Sequence, residues 1–302
     1  TKKHASSTKE SIVQFEGRVE AYTKSVDGLN VWNYGMGRAA AHLFANAGWF
    51  VGGFDVNEVG LGTLAEELGH NQCMTGVLDV RNMDAFNAAV AEFGEKTGGT
   101  MDVMFNNAGI GETGKFGDVP YDRAMNVVDI NLRGVINGVY ASLPLLKNTP
   151  DSLLFNNSSS SATYGMPGLA VYSATKHGVK GLTEALSIEF AEYGVRVADS
   201  LPGLINTPLL LNTPNHSADS AEGPGMTKAD LEAVAPKKGP MRLIEPEEVA
   251  QAVWASYHTD KKRLHWYVPK GIGLIDRIKG IKPEWARAMI KRATASGMLG
   301  SE

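Results

Sequence analysis

Short apolar runs alternate along the chain with longer stretches whose apolar residues recur every three or four positions. That alternation predicts strand–helix units wound around a parallel sheet. From Gly37 to Ala47, residues Ala40, Leu43, Phe44 and Ala47 share one helical stripe, with Gly48 as a stop. A strand follows over Trp49 to Phe54 and ends in Asp55. Asn57 caps a second helix with Leu61, Leu64, Ala65 and Leu68 on one face and Gly69 behind it. The next strand runs from Cys73 to Val80. Asn82 then caps a helix carrying Phe86, Ala89, Val90 and Phe93, and the strand Met101 to Phe105 enters Asn106-Asn107-Ala108-Gly109.

The second half repeats the alternation. It predicts a long helix over Tyr121 to Leu146, a strand at Leu153 to Phe155, a helix from Tyr172 to Tyr193 and a strand at Val195 to Leu201. A helix over Pro246 to Tyr257 and an apolar segment from Leu264 to Val268 close the sheet. Between Pro208 and Pro240 the chain is rich in Pro, Asn, Ser and Gly, too long for an ordinary connection, and reads as a mobile lid or binding loop, with a plain exposed loop as the alternative. No internal repeat or linker divides the chain. The fold expected is α/β, a doubly wound parallel sheet (Rossmann fold) in one domain, with a C-terminal helical extension. Its boundaries are a polar N-terminal segment (1–14), the sheet domain (15–269, with the loop about 208–240) and an amphipathic extension (270–302).

Composition narrows the classes. With 43% apolar and 21% charged residues in 302, the chain has enough material for a large core. A single cysteine, Cys73, excludes an intrachain disulfide and a cysteine-based metal cluster. The 29 Lys and Arg are outnumbered by 33 Asp and Glu, and no basic block stands out, which argues against nucleic acid. The best uncharged window, Ala39 to Phe54, is shorter than the roughly 20 apolar residues of a membrane span. The first ten residues hold no apolar signal core, so a cytoplasmic location is the expectation.

Tyr172 and Lys176 lie four apart on a predicted helix, about one turn from each other on one face. An ammonium beside a phenol favours the phenolate and lowers its pKa from about 10, which makes the tyrosine a proton donor and acceptor. The spacing alone is not specific, since Tyr257 and Lys261 repeat it. What separates the pairs is Ser159, thirteen residues before Tyr172 and just past a strand, where Tyr257 has Ile244. Open α/β sheets place ligands at strand carboxyl ends, so Ser159 could bond the oxygen of a carbonyl or alcohol while Tyr172 exchanges its proton. A polar loop is the plainer reading of Ser158 to Ser161 taken alone.

Together these residues resemble the short-chain dehydrogenase/reductase family, from about Gly35 to Val268. The resemblance rests on Gly35-Met36-Gly37, Asp55, Leu78-Asp79-Val80, Asn106-Asn107-Ala108-Gly109, Asn131, Ser159, Tyr172-Ser173-Ala174-Thr175-Lys176, and Pro202-Gly203 with Ile205 and Thr207. It implies a catalytic quartet of Asn131, Ser159, Tyr172 and Lys176, with Asn131 helping to hold a water-based proton relay to the lysine. It also implies hydride transfer between a nicotinamide ring and a carbinol carbon. Lys176 would hold the nicotinamide ribose, and Asn107, Ala108 and Gly109 would line the cofactor groove. Asn131 as a core asparagine and Asp79 as a helix-entry cap remain alternatives for single members. Asp55 stands eighteen residues after Gly37, where an acid accepts the adenosine ribose hydroxyls and repels a 2′-phosphate. No basic residue stands at Tyr34 or Val56, so NAD is expected over NADP.

The chain departs from the family at its opening. The family's first strand leads directly into a glycine-rich turn after a segment like Phe15-Glu16-Gly17-Arg18-Val19. Here the first glycine's position holds Val31, the threonine's holds Asn30, and about seven extra residues precede Gly35. A missing side chain lets backbone amides approach the pyrophosphate, and Val31 would block that approach. Either an insertion leaves a rebuilt phosphate turn, or cofactor binding is impaired and the chain is a dehydrogenase-like scaffold with a binding or regulatory role.

On the substrate side, Leu209, Leu210, Leu211 and Met226 in the long loop, with Tyr164, Met166 and Leu169, suit a hydrophobic alcohol or ketone. The tail carries Ile275, Ile278, Ile281, Trp285, Met289 and Ile290 among Lys and Arg. It packs on its own domain or a neighbouring subunit in one reading, and lies on a membrane in the other. The resemblance also implies a homo-oligomer, tetramer or dimer, built on the helices around Tyr121 to Leu146 and Tyr172 to Tyr193.

Overall fold

The computed structural model describes residues 10–14, 35–207, 213–217, 235–239, 241–259 and 263–295. Seven parallel strands form the main sheet: β1 Glu10–Gln14, β2 Phe50–Asp55, β3 Cys73–Val77, β4 Val103–Asn106, β5 Leu153–Asn157, β6 Arg196–Pro202 and, at the far edge, His265–Val268. They lie in the order β3-β2-β1-β4-β5-β6 with the His265–Val268 strand outermost, so the chain reverses its winding between β1 and β4. Helices cover both faces, and strands β2 and β4 are buried almost throughout.

One face carries α1 (Met36–Asn46) and the helix Pro246–His258, which pack together through Phe44, Trp49, Val253 and Tyr257. The other carries α3 (Met83–Thr97), α5 (Gly134–Lys147) and α6 (Ala170–Glu189), whose Phe86, Phe93, Leu146 and Leu186 fill the second half of the core. The caps read from sequence hold: Asn57 accepts from Gly60 N at the start of α2 (Glu58–Leu68), and Asn82 accepts from Asp84 N and Ala85 N at the start of α3.

Three boundaries differ from the periodicity. The central strand β1 falls at Glu10–Gln14, inside the stretch assigned to a polar N-terminal segment, and pairs with both β2 and β4. Only Ile12 and Val13 are apolar in it, too short a run to register as a buried strand. The helix expected over Tyr121 to Leu146 is interrupted: α4 (Tyr121–Val128) and α5 are joined by a π-turn at Asp129–Arg133. The strand expected to reach Val80 stops at Val77, and Leu78 N bonds Asp55 O at 2.8 Å.

The tail forms α8 (Ile272–Ile281) and α9 (Pro283–Ala295), numbered after α7 for Pro246–His258. The first of these packs on its own domain. Asp276 accepts from Lys180 of α6 at 2.7 Å and from the Tyr267 hydroxyl at 2.6 Å, while Lys279 Nζ lies 3.2 Å from His177 Nε2. Burial alone would lift the Asp276 carboxyl, but the bonds from Lys180 and Tyr267 outweigh it and hold it low. Among the described residues no helix is long and apolar enough to cross a membrane.

Candidate active site

The carboxyl ends of β4, β5 and β6 meet the start of α6, and the quartet gathers there. Tyr172 stands in the first turn of α6, and Lys176 one turn on is 3% exposed, its Nζ 5.6 Å from the Tyr172 ring centroid. Two bonds fix the register of helix against strand: Lys176 Nζ donates to Asn157 O at 2.9 Å, and Ser158 Oγ donates to Lys176 O at 2.9 Å. A helical i, i+4 pair thus becomes a fixed ammonium beside a phenol, because the lysine is pulled back onto the end of β5.

Asn131 sits inside the π-turn, fully buried. Its Oδ1 accepts from Ile110 N at 2.8 Å and its Nδ2 donates to Ile110 O at 2.9 Å, so one amide side chain pins the loop after β4 by both backbone groups. The wider i to i+5 spacing of a π-turn is a common device for presenting a side chain at a functional site. Gly109 faces this junction. A Cβ added there would lie 3.4 Å from Asn131 Oδ1 and 3.6 Å from Lys176 Nζ, so glycine keeps the crevice open between them.

Ser159 caps the short 3₁₀ turn Ser160–Ala162, its Oγ accepting from Ser161 N at 3.1 Å. The hydroxyl proton is left to be donated elsewhere. The second Tyr-x-x-x-Lys match is spent on structure. The Tyr257 hydroxyl donates to Asp102 at 2.6 Å, burial and that carboxylate push its pKa up, and Lys261 lies outside the described residues.

Further along the sheet, Asp55 ends β2, 7% exposed, with Oδ1 accepting from Asn57 N at 2.9 Å. Burial raises its carboxyl above the usual range. Asp79 is gripped by Arg81, whose Nε reaches both carboxylate oxygens at 2.9 and 3.0 Å. That guanidinium, together with Arg81 N at 3.0 Å from Oδ1, occupies the carboxylate and holds the Asp79 carboxyl low. Val80 O is taken by Asn137 Nδ2 at 2.8 Å. Asn107 accepts from Asn157 Nδ2 at 3.0 Å, and its own buried Nδ2 meets no acceptor among the described residues. Ala108 lies between it and Gly109 in the loop. Pro202 ends β6, Gly203 N bonds Val268 O at 2.8 Å, and Ile205 and Thr207 are buried just beyond.

At the opposite end, Gly35 precedes α1, whose first turn of Met36 and Gly37 has no side-chain cap and no acidic residue. Among the described residues, nothing lies within 4 Å of a Cβ added at Gly35. The stretch that departs from the family, with Asn30 and Val31, lies outside the described residues, as do Leu209 to Leu211 and Met226.

Periodicity gave no sign of Asn157. Its Oδ1 accepts from Ser200 Oγ at 2.8 Å while its other groups meet Lys176 and Asn107, so it joins β4, β5, β6 and α6. Its place as the last residue of β5, two before Ser159, was the available signal.

A family profile for short chain dehydrogenases matches residues 33–217. The oxidoreductase UcpA of Salmonella typhimurium is 29% identical over 238 residues, 78% of this chain and 87% of its own. Cyclohexanol dehydrogenase of an Acinetobacter species is 31% identical, covering 72% of this chain and 82% of its own. Levodione reductase of Leifsonia aquatica is 32% identical with the same two coverages, 72% and 82%. Among solved structures, a Brucella melitensis 3-ketoacyl-(acyl-carrier-protein) reductase complexed with NADH superposes with a TM-score of 0.69 at 25% identity, over 86% of this chain and 96% of that one. Profile, strand order and the convergence of Asn131 and Lys176 on Gly109 agree, and the chain belongs to the short-chain dehydrogenase family of oxidoreductases.

Proposed function

We propose that the protein is an NAD(H)-dependent oxidoreductase interconverting a hydrophobic secondary alcohol and its ketone, with Tyr172 as general acid and base. The observation that carries this reading is the Lys176 ammonium, held on Asn157 O beside the Tyr172 ring and next to Gly109. A nearby cation favours the phenolate, which lets Tyr172 take the proton of an alcohol or return it to a carbonyl oxygen. Ser159 orients that oxygen with its hydroxyl. Asn131 keeps the floor of the crevice in place through Ile110.

The residues present fit a nicotinamide dinucleotide. The unpartnered Nδ2 of Asn107, the open side of Gly109 and the buried Asp55 lie along the strand ends, and the uncapped amides of α1 suit a phosphate. The cofactor, when bound, supplies or accepts the hydride. Asp55 would accept the adenosine ribose hydroxyls and disfavour a 2′-phosphate, which makes NAD the preferred form. The large apolar side chains left exposed on the helices expected to form the subunit contact, Tyr121, Tyr140 and Ile188, suit a homo-oligomer.

A panel of secondary alcohols and ketones with NAD and NADH, with Tyr172→Phe as control, tests the activity. Turnover abolished by that substitution supports the reading, and full activity in the variant overturns it. The second reading, a scaffold with impaired cofactor binding, is favoured by the 21 residues (15–35) between β1 and α1, where a βα connection usually takes 2–6. Titration with NADH, followed by nicotinamide fluorescence, separates the two.

A further inference from the structure

Residues 213–217, inside the long specificity loop, are bound to the strand-end loop after β4 by more than packing. Thr113 and Asn215 form an isolated parallel bridge. Thr113 N donates to Pro214 O at 2.9 Å, Thr113 Oγ1 donates to the same oxygen at 2.8 Å, and His216 N donates to Thr113 O at 2.8 Å. The two backbones touch closely. A Cβ on Gly111 would lie 2.8 Å from Thr213 Oγ1, and one on Gly114, at φ +143°, would lie 3.1 Å from His216 Cβ. Gly114 N in turn donates to Gly168 O at 3.0 Å, which draws in the 164–169 segment before Tyr172.

Between these backbone bonds lies a charged cluster. The Glu112 side chain is 3% exposed; its Oε2 is 2.8 Å from His216 Nε2 and its Oε1 is 3.3 Å from Arg123 Nε in α4. Desolvating a carboxylate costs several kcal/mol unless partners compensate, and breaking a buried pair by removing one partner is costly for the same reason. Both partners here come from other elements, one from α4 and one from the specificity loop. A neutral imidazole with its proton on Nε2 still donates to Glu112, so the bond survives in either protonation state of His216.

We infer that Glu112 is a positioning residue that holds His216, and with it residues 213–217, as a fixed wall of the substrate crevice. Substrate affinity then depends on a pair that takes no part in proton transfer. The inference rests on the alcohol and ketone reading of the same crevice, because it assigns the wall its substrate.

The test uses the full chain with Glu112→Leu, which removes the acceptor at similar size, and with His216→Ala as a second variant that breaks the same bond from a more accessible side. Backbone hydrogen exchange read at His216, whose amide bonds Thr113 O, is expected to rise at least tenfold in both variants, with exchange at Ile110 unchanged. For the best substrate of the panel, KM is expected to rise about tenfold with kcat within twofold and NADH affinity unchanged. Unchanged exchange at His216 overturns the anchor, and raised exchange with unchanged KM overturns its role in the substrate wall. If the wild-type protein turns over nothing in the panel, the alcohol and ketone reading fails, while the exchange measurement still decides the anchor.

Discussion

The two ends of the crevice are built in opposite ways. At the catalytic end, four elements reach one point through side chains: Lys176 onto Asn157 O, Ser158 onto Lys176 O, Asn131 onto both backbone groups of Ile110. At the phosphate end, the family's device is a turn whose backbone does the binding, and its identity rests on glycine positions alone. Here the connection between Gln14 and Met36 spans residues 15–35, and the family profile begins matching at residue 33. Under the proposed function, proton chemistry and cofactor grip would be separable in this chain.

The sharpest way to break the comparison is at the catalytic end. Tyr172→Phe removes the proposed proton carrier and leaves the helix in place, so kcat should fall by about 10²–10⁴-fold, the usual worth of general acid–base catalysis. The Kd for NADH should stay within twofold, because the hydroxyl and not the ring is lost. Equal losses in kcat and NADH affinity would show that the two ends are coupled after all.

Asn131→Ala probes what holds that end together. It strips both the N–H and the C=O of Ile110 of a buried partner, at roughly 1–3 kcal/mol for each unsatisfied group, so a loss of about 2–6 kcal/mol is expected. Chemical denaturation measures it, and a change under about 0.5 kcal/mol would mean the loop after β4 is held by something else.

Much of this architecture was legible in the sequence, and the reasons are local. Asn57 and Asn82 announce α2 and α3 because a capping side chain and the apolar stripe behind it fall at fixed spacing. The Tyr172 and Lys176 pair was legible because one helical turn converts a spacing of four into proximity. What stayed hidden depends on partners distant in sequence. Ile12 and Val13 acquire strand character only between β2 and β4. The π-turn around Asn131 leaves the apolar period of its helix nearly intact. Glu112 meets His216 across 104 positions, a pairing that no window along the chain contains.

Asp55 belongs to the phosphate end but is built like the catalytic one, from a buried side chain at a strand terminus. Asp55→Ala should raise the KM for NAD about 10–100-fold, the worth of hydrogen bonds to a charged group at roughly 1.5–3 kcal/mol. The KM for NADP should fall or stay level, since the repulsion of a 2′-phosphate is removed. A wild-type preference for NADP would sink the assignment of Asp55 to the ribose.

The smallest effect is expected at Val31, and it addresses the difference between the two ends most directly. If Val31 holds the position where the family keeps its first glycine, its side chain stands between backbone amides and the pyrophosphate. Val31→Gly should then lower the Kd for NADH by a few-fold, about 1 kcal/mol or less, read by nicotinamide fluorescence. The kcat at saturating NADH should not move, because Val31 is not among the residues assigned to the proton step. A Kd that does not change would place the phosphate contacts elsewhere in residues 15–35. The inserted residues would then have to supply a turn of their own register, since a crevice that keeps its catalytic end and its ribose acid still needs donors for two phosphates between them.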